Sequence, residues 1–261
     1  MIEDRVPGPF AADDARPGII AVPNRYSLER PMMRLTALIV MTVSLGSELV
    51  SSPAQEPARG RGAAVARVTR PPLLFREEWK QSAAGGEHPV IPLESLSNPN
   101  LELKLYGSSA KDIQLTGSAQ DENNPIHLWT GLCTTPCGAA LRDKNNYGDL
   151  SGLARIRWVT KVSGFHQVRP MVKLADGTGL VGDRTDGSTA DWLQSDISLA
   201  DVRWMRLDIN GVVTKGIIVE KADLSRVDEI GFVDLMPGSG HGPGGWVDVA
   251  AIEVFGKPIK R

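Results

Sequence analysis

"VDEIGFVDLMPGSGHGPGGWVDVAAIEVFG", residues 227–256, sets two apolar runs on either side of a loop of glycine and proline. Residues 227–235 and 247–256 are rich in Val, Ile and Phe and too short for helices, so each reads as a strand. The loop between them, 236–246, lacks what a phosphate cradle needs. That motif sets its glycines at a strand-to-helix junction, where backbone N–H groups point at the anion. The unit is therefore strand, loop, strand. Its glycines permit positive φ and its prolines stiffen the bend. The two strands are expected to be sheet neighbours, with Gly244 and Gly245 letting Trp246 seat against the end of the domain or stand as a platform. His241 has no Asp or Ser at a triad spacing and reads as an ordinary loop residue.

The same grammar runs upstream. "LELKLYG" (101–107) alternates Leu101, Leu103 and Leu105 with Glu102, Lys104 and Tyr106. "ARIRWVTKV" (154–162) puts Ile156, Trp158 and Val162 on one face and Arg155, Arg157 and Lys161 on the other. "FHQVRPMVKLADGTGLVGD" (165–183) turns Val168, Val172 and Leu174 inward and reverses at Asp176-Gly177, a hairpin signal. "RWMRLDI" (203–209) reads with Met205, Leu207 and Ile209 inward. No helical periodicity is sustained, and "DLSRVDE" (223–229) is assigned a single helical turn. Many short strands with polar residues on one side predict an all-β, antiparallel two-sheet sandwich.

The chain has 261 residues, with 29 basic and 31 acidic side chains, so its charge gives no reason to expect a nucleic-acid partner. Its 27 glycines and 18 prolines favour turns over long helices. Near the start, Arg34 is followed by an apolar run from Leu35 to Leu45 and by Ser52-Pro53-Ala54, the pattern of a cleaved signal peptide. The run is too short to span a bilayer, so no stable membrane insertion is expected after cleavage. The expected organisation is a mis-assigned or disordered start (1–31), a signal peptide (32–54), an arginine-bearing linker (55–71) and one domain (72–258), secreted or periplasmic. Cys133 and Cys137 flank a Thr-Thr-Pro turn. In an oxidising compartment they are expected to form a disulfide; free thiols or a metal site are the alternatives.

"SGLARIRWVTKVSGF", "RWMRLDI", "VDEIGFVDLMPGSG" and "GGWVDVAAIEVFG" together resemble the jelly-roll, galactose-binding-like domains of secreted bacterial proteins, many of them carbohydrate-binding modules. The resemblance covers roughly residues 72–257. It implies a jelly-roll and a polysaccharide or glycan partner. The family often has an acidic residue two before the Ile of its last strand; here that position is Ala250, with Asp248 displaced by two. No inherited calcium site is therefore assigned.

Four groups are candidates for ligand contact. Trp246 stands at the end of the glycine loop. Arg155, Arg157, Arg169, Trp204, Arg206 and Asp208, with Gln167 and Lys173 among them, are expected to project together, with charges beside an aromatic ring as a sugar surface needs. His127, Trp129, Asn145, Asn146 and Tyr147 flank the cysteine turn in "NPIHLWTGLCTTPCGAALRDKNNYGDL" (124–150), with Trp129 and Tyr147 its aromatic candidates. Asp183, Asp186 and Asp191 offer oxygens for a structural calcium, but their spacing misses the EF-hand pattern, so no metal or other cofactor is assigned. A glycosidase would need a carboxylate pair, and none of Glu77, Glu78, Asp183, Asp208, Asp234 and Glu253 is singled out by spacing. The reading is a non-catalytic carbohydrate-binding module; the alternatives are a carbohydrate-active enzyme and a protein-binding domain of the cell envelope. The sequence leaves the oligomeric state open.

Overall fold

The computed structural model describes residues 69–81, 85–237 and 244–261. The expected signal peptide, the segment before it, the linker up to residue 68 and His241 lie outside the described residues.

Sixteen strands form two antiparallel sheets among the described residues. The first sheet holds β1 (Leu73–Glu77), β2 (His88–Pro89), β4 (Gln114–Thr116), β5 (His127–Trp129), β8 (Arg155–Val162), β11 (Leu193–Ser198) and β15 (Val247–Phe255). The second holds β3 (Leu101–Tyr106), β6 (Cys137–Asp143), β7 (Asn146–Asp149), β9 (Val168–Leu174), β10 (Gly179–Gly182), β12 (Trp204–Asp208), β13 (Val213–Val219), β14 (Val227–Asp234) and β16 (Lys257–Lys260). The first runs β11-β8-β15-β5-β4-β2, with β1 completing the far half of β15; the second runs β13-β12-β10-β9-β14-β6-β3. The result is a jelly-roll β-sandwich.

The core follows from period-two alternation. Ile156, Trp158 and Val162 on β8 meet Leu128, Val249 and Ile252 from the same sheet. They pack with Leu101, Leu103, Leu141, Val168, Val172 and Phe232 of the other. Burying each large apolar side chain contributes about 1.5–3 kcal/mol. Trp158 is fully buried, yet its indole N–H donates to Asp186 Oδ2 at 2.7 Å. One buried acid pins an edge. The Glu77 carboxylate accepts from the Trp79 and Ser97 N–H groups, the Ser97 hydroxyl and the Asn98 N–H at 2.7–3.0 Å. Trp79, at φ 55°, then donates its indole N–H to Val249 O at 2.7 Å. The hairpin at Asp176-Gly177 forms as expected, with Gly177 at φ 89° between β9 and β10. Cys133 and Cys137 are joined as a disulfide.

Three expectations are corrected. The strands of the opening stretch are not neighbours: β14 lies in the second sheet and β15 in the first. Strand β14 is already paired with β9 on one side and β6 on the other, which leaves β15 to pair with β8. Residues 223–229 form no helical turn. The Asp223 side chain accepts the Ser225 N–H, and β14 begins at Val227. Finally, β12 is turned over. Trp204 packs in the core with Leu199 and Val202, while Leu207 joins Ala140, Met171, Val181, Val212 and Val233 on the other face. The second sheet is apolar on both faces, so alternation alone could not say which row faces the first. Val212, in the β12–β13 turn, is buried at φ 52° beside Gly107, which follows the opposite edge strand β3.

Candidate functional site

Inward-facing Leu128, Val162, Val247 and Val249 fix what faces outward on the first sheet. Across β8, β15 and β5 the register aligns Lys161 with Asp248 and Asp248 with Trp129. Cross-strand partners share a face, so these three side chains form a row on the outer surface. His127 lies two residues before Trp129, on the same face, and is paired with Thr116 of β4. Trp246 enters from the glycine loop just before β15, and Trp192 from the segment just before β11. With Glu87 and Asn124 from neighbouring loops, these nine residues line a cleft of about 240 Å³. Sites for drug-sized ligands run to roughly 300–1,000 Å³, so this one suits about a single sugar ring.

The aromatic rings are fixed by their neighbours. Trp129 and Trp246 meet edge to face, with centroids 6.5 Å apart, and Trp192 meets the His127 ring at 5.0 Å. The Trp192 indole N–H donates to Asn123 O at 3.1 Å, and that of Trp246 donates to Asp248 Oδ2 at 3.1 Å. Trp129 is 4% exposed, whereas Trp192 and Trp246 are half-buried and present ring surface to the cleft.

Beneath the rings lies an unbalanced polar pair. His127 Nδ1 is 2.7 Å from Pro125 O. A carbonyl only accepts, so Nδ1 carries the hydrogen and the neutral ring turns the lone pair of Nε2 toward Asp248. Asp248 Oδ1 stands 3.5 Å from that nitrogen and has no hydrogen-bond partner among the described residues. Burial pushes the Asp248 carboxyl up to about 7, against the opposing pull of the Trp246 N–H and the Lys161 charge. Burial holds His127 below the ordinary imidazole range, and the bond to Pro125 opposes that less strongly.

Of the residues expected from sequence, the structure brings Trp129, Trp246 and His127 together. The anticipated polar face is divided between two sheets. Arg155 and Arg157 lie farther along β8; Arg157 grips Asp196 at 3.0–3.2 Å, and Arg155 stacks over Phe255 at 3.9 Å. Arg169 is on the second sheet, bonded to Gln167 at 2.9 Å. Trp204 is in the core rather than outward, while Arg206 and Asp208 are exposed on β12, with Asp208 accepting the Asn210 N–H. Tyr147 is flanked by Arg226 and Arg261 at 4.9 and 4.2 Å. Asp183 pairs with Arg203 at 2.8 Å and Asp186 holds Trp158. The described residues contain no cluster of three or more His, Cys, Asp or Glu that could hold a metal.

Of the carboxylates considered as a catalytic pair, Glu77 and Asp234 are used inside the fold. Asp234 accepts from Thr130, His166 and the Met236 N–H. Sequence reading did not assign Trp192, Lys161, Asp248, Thr116, Asn124 or Glu87 to a ligand site. A larger cleft of about 580 Å³ lies between the β13 side and the Leu199–Asp201 turn, but its one aromatic lining residue is the buried Trp204.

No protein family and no curated protein matches the sequence. Solved structures similar to the chain include a family 11 carbohydrate-binding module from Clostridium thermocellum in complex with a β-1,3-1,4-mixed-linked tetrasaccharide. It is 20% identical, with a TM-score of 0.37, covering 69% of this chain and all of that one. A xylan-binding module, CBM15, is 13% identical, with a TM-score of 0.36, covering 67% of this chain and 99% of its own. At these identities neither transfers a ligand to this chain.

Proposed function

We propose that the chain is a secreted, non-catalytic saccharide-binding module and that the outer cleft of the first sheet holds a sugar ring. One observation carries this reading: Trp129, Trp192 and Trp246 converge on a small cleft that also holds a histidine, a lysine, an asparagine, a threonine and two carboxyls. Aromatic faces stack on the C–H faces of a sugar, and polar groups at the edge take its hydroxyls. Secretion is supported by the Cys133–Cys137 disulfide, a bond that persists in oxidising compartments. A glycan array probed with residues 55–261 tests the reading. Binding of a defined glycan by the wild type, lost in Trp246→Ala and Trp192→Ala with the fold intact, is expected. Binding unaffected by both substitutions would place the ligand elsewhere, and turnover of a bound glycan would favour an enzyme.

A further inference from the structure

We propose that this cleft selects acidic saccharides and that Lys161 is the residue that takes their negative charge. The inference rests on the saccharide reading above and adds the class of sugar. Lys161 is half-buried on the outer face of β8, in the row with Asp248 and Trp129. Ordinary surface lysines are solvated and need no partner, but this one lines an aromatic cleft. Among the described residues it forms no salt bridge and no side-chain hydrogen bond, and its charge acts on Asp248 and His127 across the cleft. Its near neighbours contrast with those of Arg155 and Arg157 on the same strand, which face Asp196 at 3.0–3.1 Å.

Below about pH 7 the groups around Lys161 leave its charge without an ionised partner on the cleft floor. From β15, Asp248 is 5% exposed, and its burial favours the uncharged acid. From β5, His127 is held neutral by burial and directs its lone pair to Asp248. From the loop before β2, Glu87 is exposed at the rim, where water and salt screen it. Below about pH 7 the Lys161 ammonium is thus the dominant charge on the floor of a cleft that three indole rings also line. A compact lysine charge attracts a carboxylate or a sulfate without demanding the paired geometry that arginine imposes. A sugar ring stacked on Trp246 or Trp192 would carry such a group to the Lys161 side. A uronate carboxylate and a sulfate ester share this chemistry.

Titration calorimetry on the full chain, at a pH below 7 where the Asp248 carboxyl keeps its proton, separates the two sources. The probes are polygalacturonate with its carboxyl-reduced form, and κ-carrageenan with its desulfated form. In at least one pair the acidic member is expected to bind about tenfold more tightly than its neutral twin, equivalent to about 1.4 kcal/mol. Preference in the first pair alone assigns uronate, and in the second alone sulfate. Lys161→Met should abolish the preference and Lys161→Arg should keep it, with near-ultraviolet circular dichroism unchanged in both. Equal binding within both pairs, or a preference that survives Lys161→Met, overturns the inference. If neutral glycans bind on the array and neither acidic polymer is favoured, the saccharide reading stands and the acidic one falls. If no glycan of any kind is held, both fall.

Discussion

Gly131 lies against the indole of Trp129 so closely that a β-carbon added there would stand 2.2 Å from the ring. The ring cannot swing into solvent without losing its packing, because it is 4% exposed and meets Trp246 edge to face. Gly131→Ala should therefore displace Trp129 within the cleft. Overpacking of this kind costs about 1–3 kcal/mol. The expected outcome is a modest drop in melting temperature with a clear loss of glycan affinity. Unchanged affinity, measured by the same titration as the wild type, would show that Trp129 does not shape the site.

Trp204 and Trp246 should part company when each is replaced by alanine. Trp204 is a core residue, and its removal should cost about 3–5 kcal/mol. Trp246 is half-buried, and its indole N–H holds Asp248. Its loss should cost stability less and binding more. Urea denaturation alongside glycan titration checks the pair; the reverse ranking would exchange their roles.

Period two was legible wherever a strand had one polar face. β8 shows this: Arg155, Arg157 and Lys161 read outward, and they are outward. It failed on β12, where Trp204 and Leu207 both sit in apolar surroundings, on opposite faces of one sheet. The cleft was only half visible for a different reason. Trp129 and Trp246 stand out as aromatics beside turns. The alignment of Lys161 with Asp248, however, is a register between strands some 85 residues apart, and no local pattern encodes it. Trp192 reaches the cleft only because β11 pairs at the edge of β8. The expected adjacency of β14 and β15 failed because chain neighbours in a two-sheet sandwich can cross between sheets.

Reducing the disulfide should lower stability and spare the cleft. The closed loop between Cys133 and Cys137 is short, so the entropic model gives about 2 kcal/mol. Thr130, between Trp129 and the loop, is held independently. Its N–H donates to Val247 O at 3.0 Å, its hydroxyl to Asp234 at 2.9 Å, and the same hydroxyl oxygen accepts the Val247 N–H at 3.0 Å. A thermal scan with and without reductant should show a lower melting temperature. Glycan affinity in the reduced, alkylated protein should stay within about threefold of the wild type, less than the tenfold that 1.4 kcal/mol represents. A larger loss would make the disulfide part of the binding machinery.

Asp248 gives the fold a pH dependence of predictable sign. Its carboxyl titrates at about 7 in the folded protein, against an ordinary value of 3.8. Between those values the unfolded chain has released the proton and the folded chain has kept it. At Asp248 the folded state therefore binds more protons, and this contribution to stability falls as pH rises from about 4 to about 7, then levels off, while the lowered His127 contributes the opposite slope on the acid side. Each pKa unit is worth about 1.4 kcal/mol, so the loss is on the order of 2–4 kcal/mol. Asp248→Asn removes the charge and keeps an oxygen for the Trp246 N–H. Its amide can also donate to the His127 Nε2 lone pair, which faces an unsatisfied oxygen in the wild type. The variant should be more stable than the wild type at pH 8 and nearly equal to it at pH 4, with the gap widening between. Urea midpoints at the two pH values decide the matter: a wild type that gains stability relative to Asp248→Asn as pH rises would mean that the buried carboxylate is charged and well paired.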